Sequence, residues 1–133
     1  MGDFKQGDSL PELRTTPDAG LTKRYAEASG DPNPIHIDED FAKSVGLPGT
    51  ILHGLYSMAQ VARAHTDVAD GDPRALKRLR VQFRGMGFPE QEIVVTSTVK
   101  EAEKGRIVTE TEAAQGENRI IRNAEAELGL DSS

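Results

Sequence analysis

A chain of 133 residues with 36% hydrophobic and 29% charged side chains has the size and composition of one domain, residues 1–133, with a packed core. Its net charge of −6 argues against nucleic acid as a partner, because phosphate neutralisation needs a basic surface, and the absence of cysteine excludes disulfides, thiol nucleophiles and cysteine zinc sites. No apolar run approaches the roughly 20 residues that cross a bilayer, and "MGDFKQGDSL" at the N-terminus lacks the apolar stretch of a signal peptide, so a cytoplasmic location without a membrane partner is expected.

Residues 3 to 19 mix polar and apolar positions around Pro11 and Pro17, which predicts an edge strand ending in the turn "TPDAG". "GLTKRYAEAS" then carries Leu21, Tyr25 and Ala28 on one helical face, with Gly30 where a C-terminal stop belongs. The stretch "ASGDPNPIH", Ala28 to His36, reads as a stiff, non-helical loop, since prolines at 32 and 34 fix their own φ angles and bias Asp31 and Asn33 toward extended backbone. "IDEDFAKSVGLPG" follows as a short helix with Asp38 as its N-cap, stopped by Gly46 and Pro48.

"TILHGLYSMAQVARAHTDVA" predicts a long central helix whose apolar face is Leu55, Met58, Ala59, Ala62 and His65 or Thr66. After "DGDP" the period changes to alternation. "RLRVQFR" sets Leu79, Val81 and Phe83 against Arg78, Arg80, Gln82 and Arg84, and "IVVTSTVKE", "RIVTETEAA" and "NRIIRNAEAEL" complete a predicted meander of four antiparallel strands. The order predicts an α+β fold with an antiparallel sheet on one helix.

Asp31 and His36 are the residues that carry chemistry in the proline-stiffened loop. An imidazole titrates near neutral pH and suits acid or base work, a partly desolvated carboxylate complements it, and the Asn33 amide can orient either one. The same residues would also serve as an Asx-turn followed by a surface histidine, and their spacing does not choose between the two readings. His65 and His53 read as structural. No H-x-x-x-H or H-x-H spacing suggests a metal site, and no metal or redox cofactor is expected.

Tyr25, Ser29-Gly30-Asp31, Asn33-Pro34-Ile35-His36 and Ala42 together resemble the signature of MaoC-like dehydratases, also called R-specific enoyl-CoA hydratases, and "ILHGLYSMA" resembles that family's His-Gly opening of the central helix. The resemblance extends through the strands to nearly the whole chain. It implies a single hot dog, an antiparallel sheet wrapped around a long helix, and reversible addition of water to a trans-2-enoyl thioester. It also implies roles: Asp31 and His36 hold one water and share the proton transfers, Asn33 keeps Asp31 in place, and the Gly54 backbone N–H binds the thioester oxygen. A helix N-terminus has spare N–H groups, and glycine allows close approach, so the last role is also physically reasonable.

The substrate implied is an acyl-CoA or acyl-carrier-protein thioester, and the basic stripe of Arg78, Arg80 and Arg84 is a candidate contact for its phosphates or for an acidic carrier. An open sheet edge predicts a homodimer, or a heterodimer with another hot-dog subunit. Two other functions fit the same fold. One is an acyl-chain-binding subunit of a heteromeric dehydratase, against which the intact Asp31, Asn33 and His36 argue. The other is a hot-dog thioesterase, which needs a carboxylate on or near the central helix, where "GLYSMAQVARAH" has none.

Overall fold

The computed structural model describes residues 4–30, 34–47 and 49–129. A short strand β1 (Leu13–Thr15) leads to helix α1 (Leu21–Ser29), a single helical turn α2 (Pro34–Ile37), helix α3 (Glu39–Ser44) and the central helix α4 (Gly54–Thr66). Two 3₁₀ turns then connect to strands β2 (Leu76–Phe83), β3 (Ile93–Glu103), β4 (Arg106–Gln115) and β5 (Asn118–Gly129). The five strands form one antiparallel sheet in the order β1-β3-β4-β5-β2. Its inner face holds α4, which is the hot-dog arrangement.

Local chemistry accounts for most boundaries. Helix α1 stops at Gly30, and α3 starts at Asp38, whose carboxylate accepts the Phe41 N–H at 3.0 Å. Ile93, Val95, Ser97 and Val99 of β3 alternate inward, as do Ile107, Thr109, Thr111 and Ala113 of β4. In β5 the alternation breaks: Asn123 takes a left-handed conformation (φ 52°), two residues in a row face solvent, and both Ile120 and Ile121 are buried before it. The register shift against β4 at this point bends the sheet around the helix.

Three sequence expectations are corrected. The stretch Ala28 to His36 is not wholly non-helical: Ala28 and Ser29 finish α1, and Pro34 opens α2. A proline suits a first helical position because that N–H has no helical acceptor, and the Pro34 carbonyl accepts from the Asp38 N–H at 2.8 Å.

The buried face of α4 is Ser57, Gln60, Val61, Ala64 and His65, whereas Leu55 is 64% exposed and Ala59 is exposed. The helix is apolar on two sides, so periodicity alone does not choose; the sheet takes the side with the small Ser57 and Ala64, which permit close approach.

The predicted meander holds only for β3, β4 and β5, because β2 crosses to the far edge and pairs with β5. The crossover, residues 84–92, is held by side chains instead of a tight turn. The buried Gln115 amide donates to the carbonyls of Phe88 and Gln91 and accepts the Phe88 N–H, while Asn118 donates to the Met86 carbonyl. Gly85 passes so close to β5 that a Cβ there would lie 2.6 Å from the Arg119 carbonyl oxygen.

Candidate active site

The chain reaches the candidate site from three elements: the end of α1, the single turn α2, and the start of α4. Asp31 and Asn33 lie outside the described residues, as does Pro32. His36 is the last but one residue of α2 and is buried. Its backbone neighbour ties the turn to the segment before α4, since Ile35 O accepts the Ile51 N–H at 3.1 Å.

The His36 ring has a defined tautomer. Nδ1 lies 2.8 Å from the Ile51 carbonyl oxygen, which can only accept, so Nδ1 carries the proton and Nε2 keeps its lone pair when the ring is neutral. That leaves Nε2 able to take a proton from a bound water. The ring also stacks on His53, with centroids 3.8 Å apart and planes inclined by 21°, and Tyr25 of α1 meets His53 at 4.7 Å with its ring tilted by 41°.

His53 is the N-cap of α4, and Gly54 is its first residue. Among the described residues nothing accepts from the Gly54 or Leu55 N–H, as expected for a first helical turn. A Cβ at Gly54 would come within 3.2 Å of the Phe83 ring, so this opening of the helix tolerates no side chain without moving Phe83. Phe83 ends β2 and, unlike Leu79 and Val81, does not sink into the core; it leans on the helix start and stays half exposed. A thioester oxygen near Gly54 would meet a helix N-terminus, where backbone donors and the helix dipole both favour negative charge.

The candidate arginines are elsewhere, along the β2 edge. Arg80 pairs with Glu125 at 3.5 Å, Arg78 lies in register with Glu127, and Arg84 donates to the Gln82 amide oxygen at 3.1 Å. Their charge is therefore partly offset by carboxylates of β5, and Lys100 shares Glu125 at 3.1 Å.

His65, read as structural, is fully buried below the sheet. Its Nδ1 donates to the Val61 carbonyl at 2.7 Å and its Nε2 accepts from the Thr109 hydroxyl at 2.6 Å; Thr111 and Ser97 extend the network across β4 and β3. Burial holds its imidazole below its ordinary pKa, so it is neutral. Sequence reasoning assigned His53 to packing. The available signal was its position directly before Gly54, at the point where the candidate base and the helix start meet.

The chain matches the family model described as "MaoC like domain" over residues 8–120. It is 33% identical over 130 residues to the peroxisomal enoyl-CoA hydratase 2 of Arabidopsis thaliana, covering 97% of this chain and 40% of that protein. It is 36% identical over 110 residues to the fatty acid synthase beta subunit hexB of Dothistroma septosporum, covering 80% of this chain and 6% of that protein. The chain thus spans less than half the length of either relative. Among solved structures, the (R)-hydratase from A. caviae involved in PHA biosynthesis superposes with a TM-score of 0.84 at 20% identity, covering 96% of this chain and 98% of that one. The ChsH1-ChsH2 complex from Mycobacterium tuberculosis matches with a TM-score of 0.83 at 22% identity, covering 96% and 98%.

Proposed function

Because the chain belongs to the MaoC-like domain family, we propose that it is a hydro-lyase that adds water reversibly to a trans-2-enoyl thioester, giving the (3R)-hydroxyacyl thioester, with residues 1–133 acting as one hot-dog domain. The observation that carries this reading is the His36 imidazole: its Nδ1–H is committed to Ile51 O, its Nε2 lone pair is available, and its ring stacks on the residue that caps α4. In the hydration direction, Nε2 takes a proton from the water as its oxygen bonds to C3. The Asp31 carboxyl, held by Asn33, delivers a proton to C2, and the negative charge developing on the thioester oxygen is met by the Gly54 N–H. A thioesterase reading lacks its carboxylate, since α4 contains no acidic residue.

Incubating purified protein with crotonyl-CoA, and in parallel with a longer enoyl-CoA, tests the reaction. Loss of the conjugated thioester absorbance and an R-configured product are expected. No loss with either thioester would sink the proposal.

The second apolar side of α4 supports a dimer. Leu55, with Phe83 against the helix start, and the exposed Met86, Ile37, Phe41 and Val45 give more exposed apolar surface than one or two scattered residues do. A homodimer covering Leu55 is expected in light scattering at micromolar concentration, and Leu55→Asp should shift it to monomer. A wild-type monomer would count against this assembly, and activity that appears only with a second hot-dog protein would replace it with a heterodimer.

Arg78 and Arg84 are proposed to meet the phosphates of the CoA or an acidic carrier, with Arg80 largely engaged by Glu125. Arg78→Glu with Arg84→Glu should raise KM several-fold, with kcat unchanged and the effect fading in high salt. An unchanged KM for both CoA and carrier substrates would leave the stripe a solvated strand face.

A further inference from the structure

Three rings meet at the start of α4: His36 stacks on His53, and Tyr25 meets His53 at a tilt of 41°. Only His36 has a part in the reaction proposed above. We propose that His53 is a positioning residue, whose flat ring fixes the plane of the His36 imidazole and so the direction of its Nε2. This rests on the reading of His36 as the proton acceptor.

The bond from Nδ1 to Ile51 O holds one ring atom, and hydrogen bonds tolerate a broad range of directions at a carbonyl oxygen, so that bond alone is a pivot. A parallel ring at 3.8 Å removes the remaining swing, because tilting His36 would drive its edge into His53. His53 can serve as this wall because it cannot move away. Tyr25 packs against its ring at 4.7 Å, the residue is buried, and its backbone is pinned on both sides: the Leu52 N–H donates to Gly87 O, and the His53 carbonyl accepts from the Tyr56 N–H.

Position matters at this scale, since displacement of a reacting group by about 1 Å can cost on the order of 10²-fold in rate. His53 also precedes Gly54 directly. One residue therefore sets the base on one side and the first helical N–H on the other, and the spacing between the two catalytic groups is fixed through a single backbone link.

The test compares two replacements. His53→Gln keeps a polar group and removes the ring; His53→Phe keeps a flat ring and removes the polar nitrogens. For His53→Gln, kcat should fall by roughly tenfold or more, with KM nearly unchanged. The NMR signals of the His36 ring should broaden and average as the ring swings about its retained Nδ1–H bond to Ile51 O. His53→Phe should restore most of the lost kcat and the sharp His36 ring signals, and Tyr25→Leu should give a smaller loss in the same direction, which keeps the test decisive if His53→Gln does not fold. Wild-type kcat and an equally rigid His36 ring in His53→Gln would overturn the proposal, as would equal losses in both replacements. If the wild-type protein hydrates no enoyl thioester, the reaction reading fails, while the rigidity of the His36 ring in NMR still decides whether His53 orders His36.

Discussion

Replacing Asp31 with Asn, or His36 with Gln, is expected to remove nearly all hydration, by about 10²-fold or more in kcat. If both groups act on one water, removing either removes the proton transfer, so the double replacement should be little worse than a single one. The structure adds a correction for stability. His36 is buried, hydrogen bonded to Ile51 O and stacked, so His36→Gln should also lower stability by about 1–2 kcal/mol. Turnover and melting temperature must therefore be measured on the same samples. Activity that falls only in step with the melting temperature would mark the motif as structural, and retention of more than about a tenth of wild-type kcat by either well-folded replacement would contradict the catalytic assignment.

His65→Leu is expected to have the largest effect on stability, about 2–4 kcal/mol, because it removes the bond to Thr109 and leaves that buried hydroxyl poorly satisfied. The melting temperature should drop by roughly 10 °C. His65→Leu with Thr109→Val should recover part of the loss, since removing both partners costs less than orphaning one; strictly additive losses would refute the role given to this bond.

His65 also predicts a pH dependence. Its pKa is lowered in the folded state, so below the unfolded value of about 6.5 the unfolded chain binds more protons than the folded one. Its contribution is present in full above that pH and is lost as the pH falls from there toward the lower folded value. Asp18, Asp72 and Glu125, held below the usual carboxylate range first of all by hydrogen bonds from Arg24, Arg74 and Lys100, lose their contributions only in more acidic solution. The slope just below pH about 6.5 should therefore vanish in His65→Leu, and a slope that persists there would assign it to another group.

The strands β3, β4 and β5 were legible because each has an alternating stretch and is bounded by a turn signal, Lys104-Gly105 or Gly116-Glu117, even though β5 breaks its alternation at Asn123. Asp38 was legible as a cap because its carboxylate sits directly before a run of helix formers. What was not legible depended on choices between two acceptable partners. Helix α4 offers an apolar face with Leu55 and another with Val61, and only the sheet decides which is buried. Strand β2 could pair with β3 or β5, and its partners on β5, with the Gln115 and Asn118 side chains that hold the crossover, lie far along the sequence. At the site, His36 was readable from its motif, but its stack with His53 joins residues on opposite sides of α3 and has no local spacing to betray it.

The crossing of β2 to the far edge has a consequence for the order in which the chain assembles. The hairpins β3–β4 and β4–β5 close over a few residues, whereas Leu76 must wait for Leu128, which lies roughly fifty residues further along, before β2 can dock. Contacts that close short loops form first, so a three-stranded unit precedes the complete sheet. Until β2 arrives, the outer edge of β5 is bare, and it contains the apolar pair Ile120 and Ile121. The amide clasp of Gln115 and Asn118 on the crossover therefore also shortens the life of a sticky intermediate, so that losing it would show first in the yield of soluble protein and only afterwards in the rate of any reaction.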